Sequence, residues 1–300
     1  MRLRFYEVLQ FSAPWNRDQI LQLFVGLNFL FLAVDVAVAH SVNQFYPRYE
    51  WLPVLSAPPA GFLALWIAAH PRAPLRVRIL YLLLLLLNAV VGVLGLGFHA
   101  YAVLTPEGEF SWSWLVFGAP VLAPLSFTGV ALIGLFALME GEETLRLPGL
   151  LEIRLPGTRT QWLYLWVALG FLGAGLTSYI DHARFGFVAP EWIPVVTGLL
   201  VGWYIVFWLP EVPHGRAMLL FWLLMASVFV GVLGFGFHLV KDLSAGGAVS
   251  LERLRSLAPI MAPLLFSDLG ILGVLVGLQT ESQATELPAA STPSPGGTRA

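Results

Sequence analysis

Long apolar stretches separated by short polar segments dominate the chain. A helix that crosses the hydrocarbon core of a bilayer needs about 20 apolar residues. Eight stretches meet this length, at approximately residues 19–40, 52–69, 79–104, 113–139, 161–182, 193–210, 217–240 and 256–279. The pattern therefore predicts an all-α integral membrane protein with eight transmembrane helices.

Two signatures occur twice at the same separation. Gly-Val-Leu-Gly-Leu-Gly-Phe-His at 92–99 returns as Gly-Val-Leu-Gly-Phe-Gly-Phe-His at 231–238, and Ala-Pro-x-x-Ala-Pro-Leu at 119–125 returns at 258–264. Ungapped alignment of 92–139 with 231–278 gives 18 identities in 48 positions. A shared register of glycines, prolines and a histidine indicates a tandem duplication.

The duplication predicts two four-helix units. Each unit has an even number of helices, so both copies have the same orientation and form a parallel repeat. The predicted organisation is a cytoplasmic or interfacial N-terminus at 1–18, a first four-helix bundle at 19–140 and a cytoplasmic linker at 141–160. A second bundle at 161–279 and a disordered cytoplasmic tail at 280–300 complete the chain.

Composition agrees with a lipid-facing surface. Hydrophobic residues make up 58% of the chain and charged residues 11%, against about 25% charged in soluble domains. The chain has no cysteine, which excludes disulfides, thiolate metal sites and cysteine nucleophiles. A net charge of −2 without a basic block gives no sign of nucleic-acid binding.

The distribution of Lys and Arg sets the orientation. Eleven such residues fall on the side of the N-terminus and five on the opposite side. The positive-inside rule then places both termini in the cytoplasm of a multi-pass protein of the plasma or inner membrane.

Four of the six histidines are predicted to lie at one depth near the outer face. His40 and His99 end the first and third spans, and His182 and His238 end the fifth and seventh. Two imidazoles facing each other in a four-helix bundle are what a bis-histidine haem b requires. The same nitrogens alternatively suit copper or zinc, and a third interpretation has no cofactor and only helix packing.

Small residues lie beneath these histidines. Gly92 and Gly95 share a helix face with His99, and Gly234 repeats the position of Gly95. Such a face leaves room beside the helix, either for a flat cofactor, with Gly95 and Gly234 as cofactor-binding residues, or for close packing of a neighbouring helix.

Acidic residues inside the spans are candidates for proton transfer. Asp268 lies in the eighth span where the first copy has Gly129, and Asp35 lies one turn inside His40. A carboxylate at membrane depth is costly and typically faces a cavity or a partner. Asp181, directly before His182, is a further acid near a histidine. We expect Asp268 and Asp35 to be the proton-transfer residues.

Two recurring features at the helix starts have simpler interpretations. The proline pairs are expected to bend the fourth and eighth spans and free backbone carbonyls near the outer face. Glu50 and Glu191, each followed by Trp-x-Pro, are expected to act mainly as helix N-terminal caps.

Three functions fit this pattern. The leading hypothesis is a redox or cofactor-handling membrane subunit whose partners include a quinone or an extracytoplasmic redox protein. The alternatives are a permease for a metal ion or small solute, and a structural or assembly subunit without cofactor. In architecture alone, the twice-four plan resembles haem A synthases, copper-resistance permeases and quinol-oxidising anchor subunits of molybdenum enzymes. The resemblance assigns no residues, since Pro and Trp begin the even-numbered helices here where haem A synthases have histidine.

Overall fold

The computed structural model describes residues 15–104, 111–147, 150–184, 186–209, 214–244 and 259–278. Helices dominate these residues, in agreement with the all-α prediction. The helices are α1 (Arg17–His40), α2 (Trp51–Ala69), α3 (Leu75–Leu104), α4 (Trp112–Phe117), α5 (Leu125–Leu138), α6 (Arg159–His182), α7 (Trp192–Trp208), α8 (His214–Ser244) and α9 (Leu264–Gly277). Most of the predicted interfacial N-terminus and the whole of the predicted tail lie outside the described residues.

Six helices are long and apolar enough to cross a membrane within the described ranges, namely α1, α2, α3, α6, α7 and α8. The predicted fourth and eighth spans are represented by α5 and α9, which have only 14 residues each. At 1.5 Å per residue, each is about 21 Å long, which is less than the roughly 30 Å of the hydrocarbon core. Eight full spans are therefore not confirmed.

The prolines explain why α5 and α9 are short. Pro124 and Pro263 occupy the N-cap positions, and the residues just before them form turns. A proline has no backbone N–H to donate and fits at a helix start better than in its interior. The expected bend inside a longer helix is therefore wrong, because the helix begins after the second proline.

The linker between the halves contains an unpredicted β-hairpin. Strand β1 (Thr144–Leu147) pairs antiparallel with β2 (Leu151–Arg154). Leu145 and Leu147 are buried in the same core as the helices, so the hairpin is packed onto the bundle.

Helices α1 and α6 lie at the centre of the molecule. Helix α1 packs against α2, α5 and α9, and helix α6 packs against α7, α9 and α5. The contacts of α1 with α9 and of α5 with α6 join the first half to the second. Fully buried side chains on α1 and α6 include Leu21, Phe29, Leu163 and Phe171.

Candidate functional site

The structure brings the predicted histidines together in two pairs. His40 is the last residue of α1, and His99 lies near the end of α3. Their ring centroids are 6.2 Å apart, and the ring planes are tilted by 45°. His182 and His238 form the corresponding pair in the second half, at 6.3 Å and 84°. Each pair therefore lies between two helices of the same half.

One imidazole of each pair is anchored by a proline carbonyl. Nδ1 of His99 lies 2.9 Å from the carbonyl oxygen of Pro120, and Nδ1 of His238 lies 2.9 Å from that of Pro259. A carbonyl only accepts, so Nδ1 carries the proton and donates it. The neutral ring then has its lone pair on Nε2. The two signatures of each half thus meet at the histidine.

The other imidazole of each pair lies beside a carboxylate. Nδ1 of His40 lies 2.9 Å from Glu50 Oε2, and Nδ1 of His182 lies 3.6 Å from Glu191 Oε1. Neither contact is a hydrogen bond, because Glu50 Oε2 has no hydrogen-bond partner and 3.6 Å is too long for one. Each carboxylate instead attracts an N–H at Nδ1 through its charge. The first pair has the tighter contact.

Glu50 does not have its expected capping role, whereas Glu191 has it only for the 3-10 turn (Ala189–Glu191) that leads into α7. Glu50 and Glu191 occupy the N-cap positions of α2 and α7, but neither side chain caps those helices. Glu50 also accepts a 2.6 Å hydrogen bond from Asn43 Nδ2, and Glu191 accepts from the backbone N–H of Val188 at 3.1 Å. The recurring Glu-Trp-x-Pro sequence was the available signal for a histidine partner.

The glycine faces are occupied by the proline-led helices. A Cβ on Gly92 would lie 2.4 Å from Thr128 Oγ1, and one on Gly95 would lie 2.7 Å from Pro124 Cβ. Gly231 and Gly234 meet Ser267 and Pro263 in the same way. Gly95 and Gly234, which were candidate cofactor-binding residues, therefore border a helix contact, as the packing alternative requires.

None of the three predicted acids forms a hydrogen bond or ion pair with the four histidines among the described residues. Asp181 pairs with Arg184 at 3.5 Å. Asp268 accepts a 3.1 Å hydrogen bond from Asn28. Asp35 is exposed on α1. Asp181 therefore acts on the second histidine pair only through its charge, and Asp268 and Asp35 have no direct contact with either pair within the described ranges.

A buried charge cluster at the start of α1 and α6 was missed by sequence reasoning. Arg17 and Arg159 are only 6% and 2% exposed. Arg17 donates to Glu142 Oε1 at 2.8 Å and to Thr160 Oγ1 at 2.8 Å. Arg159 donates to Asp18 at 3.1 Å. The cluster joins the linker to both halves.

The same cluster anchors further groups. Arg159 also donates to the carbonyls of Phe136 and Met139 at the end of α5. Burial raises the pKa of Glu142, but Arg17, Arg159 and the hydrogen bond from Thr160 outweigh it and hold the pKa below its usual value. Asn-Arg-Asp-Gln at 16–19 and Thr-Arg-Thr-Gln at 158–161 were the signal, and each includes a capping box.

No group of three or more His, Cys, Asp or Glu side chains arranged to hold a metal ion is found within the described ranges. Each histidine pair thus offers two nitrogen ligands. No family model, no curated protein and no solved structure matches the chain. The function must therefore be argued from the geometry of these residues.

Proposed function

We propose that the chain is a redox subunit of the plasma or inner membrane that binds haem b through its outer histidine pairs. In this proposal the chain is a parallel tandem duplication of eight membrane segments, and α5 and α9 are the helical parts of the fourth and eighth. Both termini are cytoplasmic. The histidine pairs then lie at the outer side.

The spacing and anchoring of the imidazoles carry this proposal. A metal–imidazole bond is about 2.0–2.1 Å, so two rings on opposite sides of one iron have centroids roughly 6 Å apart. The observed separations are 6.2 and 6.3 Å. Proline carbonyls accept from Nδ1 of His99 and His238, and carboxylates lie beside Nδ1 of His40 and His182, which leaves Nε2 for the ligand.

Two nitrogens per site favour haem over the copper and zinc alternatives. Protein zinc sites typically use three or four protein ligands, whereas haem needs only axial ligands because the macrocycle supplies the others. His40 and His99 would hold one group and His182 and His238 another.

The residues of the chain would have distinct tasks in this reaction. Haem b, when bound, supplies one-electron transfer. Pro120 and Glu50 keep the two imidazoles of the first pair in one orientation, and Glu191 and Pro259 do so in the second. A quinone or an extracytoplasmic redox protein is the expected electron partner, and Asp35, within two turns of His40, would take up its proton.

An optical spectrum of the detergent-purified protein tests the proposal directly. The spectrum is recorded as isolated, after dithionite, and after supply of haem, with bound metals quantified on the same sample. Replacing His99 or His238 with Ala should remove a Soret band or reduce it by about half. His70→Ala is the matched control, because His70 stacks on Trp66 away from both pairs.

A colourless and metal-free protein, still so after haem or copper is supplied, would overturn the cofactor proposal. Bound copper or zinc without a Soret band, lost in His99→Ala, would assign the pairs to a metal ion. If each of the four histidines can be replaced singly with no effect beyond stability, a structural or assembly subunit without cofactor is the remaining interpretation.

A permease is the second candidate, favoured by one observation. Asn28 and Asp268 form a polar contact between the two halves, at a depth where such groups commonly mark a substrate or ion pathway. A permease predicts pH- or metal-dependent uptake by proteoliposomes and no Soret band.

A further inference from the structure

Asn28, midway along α1, meets Asp268 in the second turn of α9. Asn28 lies twelve residues before His40, the end of α1, which is about 18 Å along the helix axis. Asp268, half-buried on α9, accepts a 3.1 Å hydrogen bond from Asn28 Nδ2. The same amide nitrogen donates to the carbonyl of Phe24 at 3.1 Å. The contact joins α1 of the first half to α9 of the second.

The contact with Asn28 does not neutralise the charge of an ionised Asp268. One neutral amide donor faces Asp268, and no Lys, Arg or His within the described ranges forms an ion pair with it. An ionised carboxyl without a cation in hydrocarbon costs far more than one hydrogen bond returns. A carboxyl in this position therefore takes up a proton.

The corresponding positions of the other half show that packing alone does not require the pair. The signature alignment equates Asp268 with Gly129, and the Arg17–Arg159 alignment equates Asn28 with Gly170. A Cβ on Gly129 would meet nothing within 4 Å, whereas one on Gly170 would meet Leu269. The corresponding positions on α5 and α6 thus hold two glycines, one facing open space and one facing α9, where α9 and α1 have an acid and an amide.

We propose that Asp268 and Asn28 form a proton-binding site between the two halves in the middle of the membrane. Asp268 holds the proton, and the amide of Asn28 donates to the carbonyl oxygen of the neutral acid. A metal cation is a poorer occupant, because hard cations need about six oxygen ligands and the contact offers one carboxyl and one amide. The site is independent of the histidine pairs.

Few other titratable groups are near this level on the helices packed against α9. Helix α1 has Asp35, seven residues outward from Asn28, and helix α6 has Tyr164, six residues inward from Gly170. Helix α8 has none between Arg216 and His238. Within the described part of the chain, neither Asp35 nor Tyr164 forms a hydrogen bond or ion pair with Asp268. Its proton therefore depends on the contact with Asn28.

Proton occupancy would control the contact between α1 and α9. The neutral acid allows the two helices to remain packed, whereas loss of the proton places a charge between them and draws in water. The site therefore links the proton on Asp268 to the arrangement of the two halves.

Infrared spectroscopy of the full-length protein in lipid tests this site without any cofactor. The protein is labelled with aspartate carrying ¹³C in the side-chain carboxyl, and the C=O band of a protonated acid is followed against pH. We expect a labelled protonated-acid band at neutral pH that is lost in Asp268→Asn and retained in Asp35→Asn. Asn28→Leu should shift this band to higher frequency, because the amide donor is removed.

The infrared spectrum of the labelled wild-type protein tests the proposal even if a variant fails to fold. Absence of a labelled protonated-acid band at neutral pH would overturn the proposal, and so would a band that disappears in Asp35→Asn and persists in Asp268→Asn. The Soret band expected for haem at the histidine pairs should be unchanged in Asp268→Asn. The infrared test of Asp268 and the optical test of haem binding can therefore fail separately.

Discussion

Nδ1 of His99 lies 2.9 Å from the carbonyl oxygen of Pro120, twenty-one residues further along the chain. The turn that begins α5 is thereby tied to the C-terminal end of α3. The same contact joins His238 to Pro259. Histidine, glycines and prolines of the recurring signatures are therefore parts of one helix–turn contact in each half.

The glycines of this contact should be sensitive to a single methyl group. Gly92→Ala places a Cβ 2.4 Å from Thr128 Oγ1 and 2.7 Å from the Pro124 carbonyl, so α3 and α5 must separate. We expect a loss of about 1–3 kcal/mol in the free energy of unfolding, measured as a lower unfolding midpoint in detergent.

Gly97→Ala is the matched control, because a Cβ there meets nothing within 4 Å. Its effect should be neutral or stabilising by up to about 1 kcal/mol, from the higher helix propensity of alanine. Equal destabilisation by both substitutions would contradict the packing role of Gly92.

The buried arginines should be essential for stability. Arg17→Met removes the donor to Glu142 Oε1 and Thr160 Oγ1 while keeping a side chain of similar volume. Removing one partner of a buried ion pair typically costs about 3–5 kcal/mol. The unfolding midpoint should fall strongly, whereas Arg76→Met, at an exposed position, should change it little. Similar midpoints for the two variants would show that the cluster contributes no stability.

Acid should weaken the same cluster. The pKa of Glu142 is lower in the folded protein than in the unfolded chain. Its contribution to stability is therefore complete above the unfolded value of about 4.3 and is lost as the pH falls through the folded value. The difference in unfolding midpoint between wild type and Glu142→Gln should shrink below about pH 4. If the difference in unfolding midpoint does not change with pH, the effect of Glu142→Gln is due to packing and not to the charge of Glu142.

The two glutamates should differ in their hold on the histidines. Glu50→Ala removes a carboxylate 2.9 Å from His40, whereas Glu191→Ala removes one 3.6 Å from His182. We expect ¹⁵N-histidine NMR to show His40 changing from the Nδ1–H tautomer to a mixture in Glu50→Ala. The change at His182 in Glu191→Ala should be smaller. An unchanged His40 signal would mean that Glu50 does not orient the ring.

Membrane character was predictable because long apolar stretches leave few alternatives to a spanning helix. The pairing of His40 with His99 and of His182 with His238 also followed from sequence, since helices running in the same direction bring equivalent ends to one level. The cofactor role of these four residues stays a prediction, as does the duplication.

The role of the glycine faces, the arginine cluster and the length of α5 depend on contacts that hydrophobic periodicity does not encode. Whether a glycine face meets a ligand or a neighbouring helix depends on helix rotation, so Gly95 was equally compatible with both. Arg17 and Arg159 were counted as ordinary cytoplasmic charges, because only three-dimensional proximity to Glu142 and Asp18 explains their burial. The short length of α5 follows from Pro124, because the helix begins after this proline. The sequence pattern predicted a bend within a longer helix instead.

The charge cluster also means that the two halves are not interchangeable modules. Glu142 accepts from Arg17 of the first half and from Thr160 of the second. A chimera built from two copies of the first half would have Asp in place of Thr160, opposite the carboxylate of Glu142. Two half-buried carboxylates would then face each other, so the assembly of two first halves is disfavoured relative to the first half with the second.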